Sequence, residues 1–167
     1  PNTAKFDVGS AVAVANISMY NSIQNITIKR GNNIIFLNWL GTDYTINIAE
    51  GYYSVSDLNY LLQNFCVLNG LYLTANNGND NVYFTEIVIN SIRYATSLNF
   101  YVIPTSAQAT ALGYAKPTNA TWNFPASSQT PRITFNQSFG NLIGLTFGTY
   151  PLASPQTTNI QILSTQT

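Results

Sequence analysis

Very few residues in this chain can move a proton, hold a metal or attack a substrate. There are six Asp+Glu, six Lys+Arg, one cysteine and no His in 167 residues. General acid–base catalysis draws chiefly on imidazoles and tuned carboxylates, and a nucleophilic triad of the usual kind needs a His. A glycosidase needs two facing carboxylates. Asp43 and Glu50 fall near opposite ends of one alternating strand, too far apart to cooperate within it. Asp57 has a structural use as a helix-cap residue. Metal ligation lacks a donor set, because one thiol and scattered carboxylates form no cluster. The reading is of a protein that is not an enzyme, with no catalytic, metal or cofactor-binding residue and no cofactor.

The remaining chemistry-bearing residues have plainer uses. Cys66 sits among apolar neighbours, as a small buried hydrophobe does. Four Asn-X-Ser/Thr sequons begin at Asn16, Asn25, Asn119 and Asn136. In a chain rich in Asn, Thr and Ser they are read as structural rather than as glycan acceptors. The rings of Tyr20, Tyr52, Tyr53, Tyr72, Tyr83, Tyr94, Tyr101, Tyr114 and Tyr150 have three possible uses. They could stack on a sugar, line a subunit contact, or fill the core and the sheet faces.

Charge bounds the partners. Only 7% of residues are charged and the formal net charge is zero, against about 25% charged in an ordinary soluble domain. Nucleic-acid binding wants a basic face, and the one basic pair is Lys29-Arg30. No apolar stretch reaches the roughly 18 residues of a membrane helix, so neither nucleic acid nor a membrane span is expected. A surface made of Asn, Thr, Ser and Gln lies against a neighbour at little desolvation cost, since buried charges make an interface expensive. That points to a building block for an assembly. The chain opens on Pro1 without a Met, which reads as a processed product or a fragment.

The elements that would position these residues are mostly strands. Period-two alternation marks half-buried strands in Tyr44 to Ile48, in Ile26 and Ile28 among Asn25, Thr27 and Lys29, in Ile133 and Phe135 beside Thr134 and Asn136, and in Ile160 and Ile162 around Gln161. Runs apolar on both faces, namely Ala11 to Tyr20, Ile34 to Leu40, Val82 to Ile92 and Leu98 to Ile103, suit strands covered on both sides. Ala11 to Tyr20 and Val82 to Ile92 are the segments expected to serve core and lateral packing. Val55, Leu58, Leu61, Leu62 and Phe65 fall at helical spacing. Ser54 and Asp57 form a capping box and Gly70 lies past the end, so Val55 to Leu68 is predicted as the one long helix, lying across a sheet edge or an end of the fold. Shorter helical turns are predicted over Ser106 to Leu112, stopped by Gly113, and over Phe139 to Ile143, capped by Ser138 and stopped by Gly144. Turn clusters lie at Gly31-Asn32-Asn33 and at 76–80. Lys116 to Pro131 is irregular, with Trp122 and Phe124 expected to pack. No domain boundary or internal repeat is visible. Residues 1–167 therefore read as a single all-β domain, a jelly-roll β-sandwich of about eight strands with helical turns confined to loops.

Three stretches carry a resemblance to a known family. They are Asn16-Ile-Ser-Met-Tyr-Asn-Ser-Ile-Gln-Asn-Ile-Thr27, Ile48-Ala-Glu-Gly-Tyr-Tyr-Ser-Val-Ser-Asp-Leu-Asn-Tyr-Leu-Leu-Gln63 and Phe139-Gly-Asn-Leu-Ile-Gly-Leu-Thr-Phe-Gly-Thr-Tyr-Pro151. In order and spacing they resemble capsid proteins of virophages and related polinton-like DNA viruses, most of all the penton, or minor capsid, protein of the icosahedral vertex. The resemblance implies a structural virion protein, a single jelly roll assembling as a homo-pentamer beside the major capsid protein. Proteins of this kind continue past the point where this chain stops. Ending at Thr167 would then leave the sandwich without its last strand or outer domain, or make the chain one jelly roll of a major capsid protein. The rival expectation is a carbohydrate- or receptor-binding β-sandwich module of a virion.

Overall fold

The computed structural model describes residues 24–152 and 155–165. Among the described residues, nine strands build three antiparallel sheets. The largest comprises β1 (Ile34–Trp39), β2 (Thr42–Asn47), β7 (Arg132–Phe135) and β8 (Gly148–Tyr150), in the order β2-β1-β7-β8. A second joins β5 (Thr85–Asn90), β6 (Ala95–Phe100) and β9 (Ile160–Leu163), in that order. A short ribbon pairs β3 (Leu73–Ala75) with β4 (Asp80–Val82). This is a mainly β protein with a few helices: α1 (Val55–Leu68), α2 (Ser106–Ala111) and α3 (Gln137–Ile143). Among the described residues, no helix is long and apolar enough to cross a membrane.

The large sheet follows its side-chain alternation. Ile35, Leu37 and Trp39 of β1 are buried, as are Ile133 and Phe135 of β7, Ile46 of β2 and Tyr150 of β8. Register puts Ile35 opposite Ile46 and Phe135, and Leu37 opposite Ile133. One face of the sheet therefore enters the core as a block. The tight β1–β2 turn puts both central residues at positive φ, Leu40 at 51° and Gly41 at 87°, the twist a two-residue hairpin needs. Asn38 supports it, its Oδ1 accepting from Gly41 N–H and its Nδ2 donating to Asp43 Oδ1.

Helix α1 occupies the predicted residues. Ser54 Oγ accepts from Asp57 N–H while the Asp57 carboxylate accepts from Ser54 N–H, closing the capping box. Leu58, Leu62 and Cys66 are its buried residues, with Val55, Leu61 and Phe65 half-buried beside them. At its end Gly70 takes φ 66°, and Leu71 N–H returns to Cys66 O at 2.8 Å, closing a Schellman-type stop. A Cβ on Gly70 would sit 2.8 Å from the backbone of Asn119 and Ala120, so the position needs both the conformation and the missing side chain. The helix packs along β5, the edge strand of its sheet, and Asn59 Oδ1 accepts from Ile87 N–H at 2.9 Å. A strand edge that could pair with another chain is thereby covered.

The long irregular stretch packs as its aromatics require. Trp122 is 8% exposed, its indole N–H donates to Gly70 O at 2.6 Å, and its ring meets Trp39 and Phe124 edge-on. Lys116 Nζ lies over both the Trp122 and Phe124 rings and donates to Trp122 O.

Several local expectations fail. Ile26 to Lys29 is not a strand: Ile26 makes one isolated bridge to Gly51, and Ile28–Arg30 is a 3-10 turn capped by Thr27. Ile28 is consequently 68% exposed, while Ile26 is fully buried. Val82 to Ile92 is not one covered strand. It breaks at Tyr83-Phe84 so that β4 serves one sheet and β5 another, because Phe84 turns inward against Trp39. Ile34 to Leu40 is covered on one face only, with Phe36 42% exposed. The cap of α3 is Asn136, whose Oδ1 accepts from Phe139 N–H, rather than Ser138. Ala11 to Tyr20 lies outside the described residues.

Candidate functional site

The described carboxylates are engaged one by one in building the fold. Asp43 accepts from Asn38, Glu50 accepts from Ile28 N–H at 2.9 Å, and Glu86 accepts from the Tyr101 hydroxyl at 2.9 Å. The Ser54 hydroxyl, then the Ser54 backbone N–H, hold the Asp57 carboxyl below the usual carboxylate range. Burial, with help from Glu86, raises the Tyr101 phenol above its ordinary value. Among the described residues no group of three or more His, Cys, Asp or Glu could hold a metal ion. The Cys66 thiol is pushed up to about 12 by burial, which keeps it protonated and unreactive. Arg132 spends its guanidinium on the Pro151 and Leu152 carbonyls.

The three described sequon asparagines also have structural duties. Asn25 grips Tyr53 twice, its Nδ2 donating to Tyr53 O at 2.7 Å and its Oδ1 accepting from Tyr53 N–H at 2.8 Å. Asn119 Nδ2 donates to Val67 O at the end of α1, and Asn136 Nδ2 donates to Gly31 O. A glycan would take one of the two Nδ2 hydrogens of each and crowd the bond that nitrogen makes. Asn16 is outside the described residues.

The tyrosines divide by environment. Tyr150 is buried and its hydroxyl donates to Thr146 O. Tyr53, Tyr83, Tyr101 and Tyr114 are half-buried against the core, and Tyr72 leans on Tyr83 with ring centroids 6.3 Å apart. Tyr52 and Tyr94 are exposed; Tyr20 is not among the described residues. Tyr60, off the buried stripe of α1 and without a periodic signal of its own, is 73% exposed.

Several large apolar side chains are open on the surface. The tip of the β5–β6 hairpin carries Ile89 at the end of β5 and Ile92 and Tyr94 in the turn, 60%, 90% and 88% exposed. Tyr94 also holds φ 49°, a conformation that costs a bulky side chain about 1–2 kcal/mol. At the opposite, open end of the same hairpin lies a hollow of about 370 Å³. Its walls are Phe84, Val102, Pro104, Ala111, Leu112 and Tyr114. Gln108 and Ser128 at its rim hydrogen-bond to each other at 2.6 Å. The two apolar faces of Val82 to Ile92 are legible in its sequence; the hollow is not, because it is assembled from segments 84, 102–114 and 128. No protein-family model matches the chain, and neither a curated protein nor a solved structure matches it.

Proposed function

We propose that this protein is a structural capsid subunit, most closely a penton-type vertex protein that closes a ring of identical copies beside a major capsid protein. The observation that carries the proposal is the β5–β6 hairpin, with three large apolar side chains bare at its tip and an apolar hollow at its other end. Soluble monomers rarely leave contiguous large apolar groups in water. A projection at one end and a hollow at the other form a heterologous pair, and heterologous contacts repeat until a rotation closes them into a ring. On this reading Ile92 and Tyr94 of one copy seat between Phe84, Pro104 and Leu112 of the next.

The low charge supports the same reading. With 7% charged residues, lateral contacts rest on apolar burial and neutral hydrogen bonds. The finer fold proposed is the jelly-roll sandwich. It is supported by the non-sequential antiparallel neighbours β1–β7 and β6–β9, the long-range pairing that Greek-key connections produce.

Sedimentation or native mass measurement at low and at about 1 M salt, where the Debye length is about 3 Å, tests the assembly. Closed rings, five-fold on this reading, are expected to survive the salt. Pairing Ile92→Cys with Leu112→Cys should trap neighbouring copies through a disulfide, with buried Cys66 silent. A protein that stays monomeric alone and with its capsid partners would refute the proposal.

A further inference from the structure

A second hollow, of about 540 Å³, lies where the loop after β2 meets the first turns of α1. Its lining includes Tyr52, Tyr53, Asp57, Tyr60, Leu61 and Asn64. Asp57, Tyr60, Leu61 and Asn64 follow the i, i+3, i+4, i+7 spacing of one helix face. We propose that this hollow is a binding site for a neutral saccharide, a property separate from assembly.

Three features select that ligand class. First, the aromatic surface is presented rather than packed away: Tyr52 is 67% and Tyr60 73% exposed, and half-buried Tyr53 also lines the hollow. A pyranose has a face of C–H groups that an aromatic ring can cover, and a rim of hydroxyls. Second, among the described residues the polar groups around the rings have spare hydrogen-bonding capacity. The tyrosine hydroxyls and the Asn64 amide have no partner among the described residues, and both bonds from Ser54 fall on Asp57 Oδ2, leaving Oδ1 to accept from a sugar hydroxyl. Third, no lining residue is cationic and one is a carboxylate, which disfavours phosphate, sulfate and sialylated ligands. A few placed polar groups among aromatic walls, in a volume within about 300–1,000 Å³, is the composition of a small-ligand site.

The loop is also held in place before any ligand arrives. Tyr53 is gripped at its N–H and its C=O by Asn25, and Asn25 O accepts from Asn32 Nδ2 at 2.7 Å. Gly51 is bonded through both its N–H and its C=O to Ile26. Tyr52 therefore projects from between two fixed neighbours, and the helix side is held by the capping box. The backbone of the site is thus ordered in advance, and the ordering cost of binding falls on the exposed Tyr52 and Tyr60 side chains.

The test uses the full chain and an array of neutral oligosaccharides built from glucose, galactose, mannose and N-acetylglucosamine, with sialylated and sulfated glycans alongside. Hits are titrated by NMR. A neutral glycan should bind, and Tyr52→Ala and Tyr60→Ala should each weaken it at least tenfold without moving the melting temperature. Asp57→Asn would mix a binding effect with a helix-cap effect, so Asn64→Ala serves as the polar probe, with a several-fold loss expected. Binding only to the charged glycans, binding that survives all three variants, or no binding would overturn the proposal. If instead Tyr60→Ala abolishes self-association while no glycan binds, the hollow is a copy-to-copy contact. Rings that form normally without glycan binding would sink this site and leave the capsid proposal standing.

Discussion

Two ends of one strand meet opposite fates. On the core-facing side of β5, Thr85 and Ile87 are each 1% exposed, whereas Ile89, two residues further along the same side, is 60% exposed. At the covered end the chain completes its own structure: α1 lies along the strand and Asn59 takes up the Ile87 N–H. At the other end nothing among the described residues covers Ile89, Ile92 or Tyr94. Residue type does not separate the two ends, since both are rich in β-branched and aromatic side chains. What separates them is whether a helix reaches that far. The contrast teaches that apolar periodicity marks a surface that wants covering and leaves open whether the cover comes from the same chain.

The sharpest way to break the contrast is at the covered end. Leu62 is fully buried in α1, and Leu62→Asp places an uncompensated charge in the core. A loss of several kcal/mol, enough to unfold a marginal domain, is expected in denaturant melts. Leu61→Asp, on the half-buried flank, should cost clearly less. Equal melting of the two variants would refute the assigned helix face.

Next in size is the clamp that holds the loop over the end of α1. Trp122→Phe removes the donor to Gly70 O and trims the ring packed on Trp39 and Phe124, leaving a buried carbonyl unpaired beside a small void. A cost of about 1–3 kcal/mol is expected, read from the shift in denaturation midpoint.

Removing the cap should cost less. Ser54→Ala deletes the acceptor for Asp57 N–H, at about 0.5–2 kcal/mol for a cap of this kind. The same site has a pH signature. The Asp57 pKa is lowered in the folded state by its Ser54 bonds, so its contribution is full above the unfolded carboxylate range, near about pH 4. It is lost as pH falls through the folded value. The acid limb of a stability profile should therefore flatten in Ser54→Ala.

The smallest stability effect belongs to the bare end. Ile92→Ser should leave monomer stability within about 0.5 kcal/mol, as surface changes do, while weakening ring formation in sedimentation. Tyr94→Gly relieves a positive φ but frees the unfolded chain, so its melt should barely move although it removes a side chain of the proposed contact. If either variant unfolds the monomer, the tip belongs to the core and the contrast collapses.

The sequence by itself determined the elements whose causes are local. The capping box at Ser54 and Asp57, the stripe of α1 and the Gly70 stop all act within a few residues, so Val55–Leu68 was legible to its ends. Alternation over Tyr44 to Ile48 and over Ile133 and Phe135 was legible because half-buried strands leave a period of two. The scarcity of charged groups was legible as arithmetic. Tertiary structure decided everything that depends on distant partners. It turned Ile28 out to solvent although it alternates like a strand residue, because Thr27 caps a 3-10 turn there. It split Val82 to Ile92 between two sheets with no Gly or Pro to mark the break, since the turn is driven by Phe84 finding Trp39. It also gathered Tyr52, Tyr53 and Tyr60 around one hollow, held in part by Asn25 from another segment of the chain. Contacts between residues far apart in the chain leave no periodic trace, so the apolar faces could be read in advance and what covers each of them could not.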